Sequence, residues 1–130
     1  MINIMIKTES HYSVDRSRIR GVIEKVLAEK GVRGSIEVSV NIVGDRLMKN
    51  LNSKYRNIPD STDVLSFPLN DEKNEKPFVD PPDHVIRLGD IVVSYPQARE
   101  DALEENKLVD DKIDELVAHS MLHLLGQHHE

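Results

Sequence analysis

The chain has 130 residues, a length that suits one domain built on one core. It contains no cysteine, which excludes disulfides and thiolate metal sites, and its net charge of −6 argues against a surface made for indiscriminate nucleic-acid binding. No apolar run approaches the length of a membrane span, and the opening Met-Ile-Asn-Ile-Met-Ile-Lys lacks the basic end and apolar run of a signal peptide, so a cytoplasmic protein with no membrane partner is expected.

Ile2, Ile4 and Ile6 alternate and predict a first strand with one buried face. A helix is expected after Ser13. Its apolar residues Ile19, Val22, Ile23, Val26 and Leu27 recur at helical spacing, Gly31 stops it, and Arg16, Arg18 and Lys25 fall on its solvent side. Ile36, Val38, Val40 and Ile42 alternate strictly, the clearest strand in the chain. Gly44-Asp45 ends that strand, with Asp45 as the expected N-cap of a short helix. In that helix Leu47, Leu51 and Tyr55 form the apolar face, and Asn57-Ile-Pro-Asp-Ser breaks it.

Residues 62–67 read as a strand closed by Pro68, and the charged, proline-bearing stretch from Leu69 to Asp83 reads as an exposed loop, with a solvent-facing His84 after it. Val85 to Val93 is the next strand, with a bulge expected at Gly89-Asp90 and a hairpin pairing to residues 62–67. Ser94-Tyr-Pro96 starts a helix with a thin face of Ala98 and Ala102, and Asp110 or Asp111 starts the last one. The order β-α-β-α-β-β-α-α implies an α+β fold, a mixed four-stranded sheet with the C-terminal helix packed centrally.

The last helix carries the chemistry. His119 and His123 are one turn apart on the same face, at one edge of an apolar arc of Ile113, Leu116, Val117, Met121, Leu122, Leu124 and Leu125. Gly126 is the expected left-handed end of that helix, and a turn there returns His129 over the pair. Three neutral imidazoles with an open fourth position describe a catalytic site for one metal ion, Zn2+ first among divalent transition metals. His128 is the competing third ligand.

The spacing H-x3-H-x5-H resembles two families. In the metzincin proteases the residue after the first histidine is the glutamate general base; here it is Ser120. The second resemblance is closer, to the YbeY family of metal-dependent endoribonucleases, whose motif reads H-G-x-L-H-L-x-G-Y-D-H. His119, Leu122, His123, Leu124, Gly126 and His129 match it, while Ser120, Gln127 and His128 depart from it. Upstream, Leu51-Asn-Ser-Lys-Tyr55-Arg56, then Thr62-Asp63-Val64-Leu65-Ser66-Phe67-Pro68, and Leu88-Gly89-Asp90-Ile91 are similar to the family's L-N-x-x-Y-R, T-D-V-L-S-F-P and L-G-D-I segments. The ordered agreement runs from residue 51 to residue 129.

The resemblance implies one YbeY-like domain over residues 1–130, acting on single-stranded or ribosomal RNA in ribosomal RNA maturation and quality control. Its implied partners are the small ribosomal subunit or assembly factors, with no DNA. It makes Arg56 and His119 the catalytic candidates and His119, His123 and His129 the metal ligands. A guanidinium fork matches phosphate oxygens and stays charged at any physiological pH, which suits Arg56 to hold a scissile phosphate. Ser66 stands either toward a cleft or toward solvent, Asp63 is a candidate for ordering the loop after Arg56, and Asp90 reads as structural. The alternatives are a metalloprotease and a metal- or RNA-binding ribosome assembly factor without catalysis.

Overall fold

The computed structural model describes residues 1–9, 11–69 and 85–129, with side chains to residue 126. The expected loop from residue 70 onward and His84 lie outside the described residues. Those described form β1 (Ile2–Thr8), α1 (Arg16–Glu29), β2 (Ser35–Val43), α2 (Asp45–Arg56), β3 (Val64–Pro68), β4 (Val85–Ser94), α3 (Tyr95–Glu104) and α4 (Val109–His129). This is the expected element order, folded as an α+β domain.

The strands form one mixed sheet in the order β1-β2-β4-β3. β1 and β4 run parallel to β2, with Ile4 opposite Val38 and Val40 opposite Ile91. β3 closes the sheet as an antiparallel edge strand on β4, the hairpin partner expected for it. It begins two residues later than expected, at Val64.

The bulge is present, with a particular cause. Glu37 pairs Arg87 and Val38 pairs Gly89, so Leu88 is the extra residue on β4. Gly89 then adopts φ 140, where a Cβ would stand 2.9 Å from Pro68 Cα and closer still to the Phe67 carbonyl oxygen. Only glycine lets β3 approach β4 here.

Two helices cover one face of the sheet. Ile4, Ile6, Ile36, Val38, Val40, Ile42, Ile91 and Val93 point into a core shared with Ile19, Ile23 and Leu27 of α1 and with Ile113, Val117, Met121 and Leu124 of α4. The ends of this layer are tied electrostatically: Arg18 bonds to both Asp111 and Asp114 of α4. Arg18 is therefore no solvent-side residue, and the two carboxylates hold its guanidinium pKa well above the usual value. Burial pushes the Asp114 carboxyl up, although Arg18 pulls it the other way.

Among the described residues the opposite face is covered by α2, over a smaller cluster of Val43, Met48, Leu65 and Val92. Here the expected apolar face was rotated. Met48 and Asn52 are buried, whereas Leu47 and Tyr55 are exposed. The N-cap is Gly44, and Asp45, one residue inside, accepts hydrogen bonds from Ser61 (2.9 Å) and Ser94 (3.0 Å). Those two serines flank β3 and β4, so the helix start is fixed by the sheet it must meet.

α3 opens as expected, with Ser94 capping Gln97, a proline in the first turn, and Ala98 and Ala102 buried. In α4 two expectations fail. Leu122 stays substantially exposed, because the buried arc continues through Ser120, Met121, Leu124 and Leu125. The helix also runs through Gly126 to His129 instead of turning there. Glycine permits a left-handed end without enforcing it; inside a helix it costs about 1 kcal/mol relative to alanine, and the intrahelical hydrogen bonds outweigh that here.

Candidate active-site cleft

α4 lies across β4 and β3, and α2 ends beside the same edge of the sheet. Between them opens a cleft of about 500 Å³ whose walls include Arg56, Thr62, Asp63, Ser66, Leu116, His119, Ser120 and His123. Residues far apart in the chain thus line one cleft. Arg56 comes from the last turn of α2, Ser66 from the edge strand, and the imidazoles from α4.

The two histidines form a pair. Their Nε2 atoms are 3.1 Å apart, and the rings stand nearly perpendicular, at 84°. That spacing allows a hydrogen bond between one protonated and one unprotonated nitrogen. It also suits a metal: two nitrogens on one tetrahedral zinc ion, with Zn–N bonds of about 2.0–2.1 Å, stand about 3.3 Å apart. The donor set therefore fits half of such a site. Among the described residues no group of three His, Cys, Asp or Glu side chains converges.

The side chains of Gln127, His128 and His129 lie outside the described residues. Along a continuous helix residue 129 sits roughly 9 Å beyond residue 123 and on another face. A third imidazole reaches the pair only if the chain leaves the helix near Gly126.

Arg56 is exposed at the mouth, on a helix end held by two devices. Asn57 ends α2 in the left-handed region at φ 57, and the buried Asn52 donates to the Asp60 carbonyl at 2.7 Å. Asn52, missed in the sequence because it looks like any polar helix residue, thus orders the turn that follows Arg56. The Asp63 side chain does something else. It stands against Asp101 of α3, and burial, followed by the neighbouring Asp63 side chain, raises the Asp101 carboxyl pKa. The Asp63 main chain is fixed in turn, its carbonyl accepting from Ser94 N at 2.8 Å. No local pattern marks Asp101; only the packing of α3 against the loop before β3 brings it there.

Ser66 stands in the cleft wall, which settles its two possible directions. Ser120 is 1 % exposed, and its hydroxyl has no partner among the described residues. His11, the histidine least connected to this cleft by sequence, packs its ring on Tyr12 at 4.0 Å.

An α+β domain that sets two imidazoles and a guanidinium around one groove is suited to binding and cutting an anionic backbone. The endoribonuclease YbeY family model matches residues 3–130. The chain is 36% identical over 135 residues to an endoribonuclease YbeY of Dehalococcoides mccartyi, covering 99% of this chain and 78% of that protein. It is also 36% identical to one from Thermoanaerobacter sp., covering 99% and 86%. A solution structure of TM1509 from Thermotoga maritima matches with TM-score 0.59 and 31% identity, over 98% of this chain and 75% of the other. The chain belongs to the endoribonuclease YbeY family.

Proposed function

We propose that this protein is a metal-dependent endoribonuclease that cuts single-stranded stretches of ribosomal RNA during maturation and quality control of the small ribosomal subunit, in the cytoplasm. The observation that carries the reading is the convergence of Arg56, His119 and His123 on one cleft. His119 and His123 hold one divalent ion, zinc by preference, and His129, with His128 as its competitor, becomes the third donor where the chain leaves the helix near Gly126. When bound there, the ion supplies Lewis acidity toward a phosphate oxygen and lowers the pKa of water.

The chain's own residues do the rest. Arg56, at the exposed rim, grips two phosphate oxygens with its fork and offsets the charge that builds as a fifth oxygen approaches phosphorus. His119 and His123 bring their Nε2 atoms to 3.1 Å of each other in the cleft wall. Ser66 and Thr62 supply hydroxyls to the wall across which the ribose-phosphate chain lies. Leu116 and Val64 give the cleft an apolar side that limits water around the reacting phosphate. Position 120 bears a buried hydroxyl and no carboxylate, so a protease's general base is absent.

The deciding experiment is metal analysis and RNA cleavage on purified protein beside His123→Ala. One metal per chain, cleavage lost with a chelator, and loss of both metal and cleavage in the variant are expected. Metal retained in full by His123→Ala, or cleavage indifferent to chelation, overturns the reading. A 2′,3′-cyclic phosphate on the upstream product, with DNA of the same sequence resistant, assigns the attack to the ribose 2′-hydroxyl; DNA cleavage without a cyclic end assigns it to water.

A further inference from the structure

The α2 face of the sheet carries a second groove, of about 570 Å³, whose floor and walls include Ser39, Asn41, Tyr55, Phe67 and Asp90. Its size suits a small-molecule or nucleotide site. It lies back to back with the cleft already described. Tyr55 lines this groove and Arg56 the cleft; Phe67 lines this groove and Ser66 the cleft. Neighbouring Cα atoms are about 3.8 Å apart. A strand of RNA whose phosphate rests on Arg56 therefore lies beside residues that border the second groove.

The groove has the chemistry of a base-binding surface. Tyr55 is 57% exposed, and Phe67 holds it edge-on at 5.2 Å, so its ring is fixed and its face is presented. Lys54 hovers over that ring at 5.3 Å, a flexible cation that can yield its place or follow a phosphate. Proteins that read single-stranded RNA stack splayed bases on such rings and hydrogen-bond their edges.

Below the ring, the hydroxyl of Ser39, 8% exposed, donates to Asp90 Oδ1, leaving Oδ2 without a partner among the described residues. The Asn41 amide nitrogen is turned to Ser39 Oγ at 3.3 Å and the Ile91 carbonyl at 3.4 Å, which leaves its carbonyl oxygen as an acceptor. Lys7 adds a cation to the lining, and where Asp90 and Asn41 meet a ligand their acceptors select a base that presents adjacent N–H donors. Guanine does so with N1–H and the N2 amino group; on the Watson–Crick edges of adenine, cytosine and uracil no two donors are adjacent.

We propose that this groove is a nucleobase subsite that takes a guanine next to the cleaved bond, stacked on Tyr55 and read by Asp90 and Asn41. The proposal rests on the ribonuclease reading for its link to cleavage, and its test separates the two. Guanosine 5′-monophosphate is titrated into ¹⁵N-labelled protein, with inosine 5′-monophosphate, which lacks the N2 amino group, as the matched control. Shifts of the Phe67 and Gly89 to Val92 amides are expected with guanosine, several-fold weaker with inosine, and lost in Asp90→Asn and Tyr55→Ala proteins whose remaining spectra are unchanged.

In single-turnover cleavage of an RNA, replacing that guanine by inosine should slow the wild type about tenfold and leave Asp90→Asn indifferent to the exchange. Groove shifts without any RNA cleavage keep the subsite and sink the ribonuclease reading. Cleavage that ignores both the base and Asp90→Asn, with amide shifts confined to the Arg56 cleft, overturns the subsite alone. If nucleotides leave the groove untouched while Asp90→Asn abolishes binding to small ribosomal subunits, the groove is a docking face and the proposal falls.

Discussion

The two faces of the sheet are finished differently. On one, α1 and α4 seal six alternating isoleucines and valines of β1 and β2 under a continuous apolar layer, and Arg18 bolts the two helices together. On the other, α2 covers one end of the sheet and leaves a groove of mixed polar and apolar lining beside it. The closed face supplies the stability. The histidines and Arg56 lie where that closed layer runs out, at the β3 edge, where side chains are held by the core and still meet solvent. A site built this way borrows rigidity from the core without being buried in it.

That contrast can be broken most severely from the closed side. Leu124 is 1% exposed and Leu122 44% exposed on the same helix. Leu124→Ala should cost about 2–5 kcal/mol in denaturant unfolding, and Leu122→Ala under about 1 kcal/mol. Equal losses would show that α4 sits in another rotation, with the histidines turned elsewhere. Next is the seam between the faces. Gly89→Ala forces a Cβ into the β3 backbone at a positive φ and should cost about 3 kcal/mol, read as a lower unfolding midpoint.

On the open side the effects move from stability to function. Arg56→Ala should unfold at the wild-type temperature and keep its metal while RNA cleavage falls about a hundredfold or more, and Arg56→Lys should recover only part of it. Full activity in Arg56→Ala would leave the cleft with no phosphate clamp. The smallest effect is expected at the Asp63–Asp101 contact. Because the folded-state pKa of Asp101 is raised, the native state holds that proton more tightly than the unfolded chain does. The resulting cost to stability is absent below the ordinary aspartate pKa and complete above the raised one. Asp101→Asn should therefore melt slightly higher than the wild type at neutral pH and no higher in acid; a gain at low pH instead would place the carboxyl pair apart.

Elements with strong periodicity were legible because one face of each meets a core whatever its neighbours are. The alternation of Ile36 to Ile42, the Ser94-Tyr-Pro96 helix start and the α1 face all fold as their patterns require. The family segments also singled out Arg56, His119 and His123, which the fold brings to one cleft. Errors gathered where two patterns fit equally well. In α2 the stripe through Leu47 and Tyr55 competes with the one through Met48 and Asn52, and docking on Val43, Leu65 and Val92 chose the second.

Local sequence determined the strands, the helices, their order and the kinds of residue able to bind a phosphate or a metal, because propensity, periodicity and side-chain chemistry are properties of short stretches. The tertiary structure decided which of them meet. It brought Arg56 beside an imidazole pair more than sixty positions away, drew Arg18 to α4, set Asp101 against Asp63 and carried α4 straight through Gly126. The reason is physical: each of those outcomes is a balance between distant surfaces, and a glycine or an arginine permits several partners until packing leaves it only one.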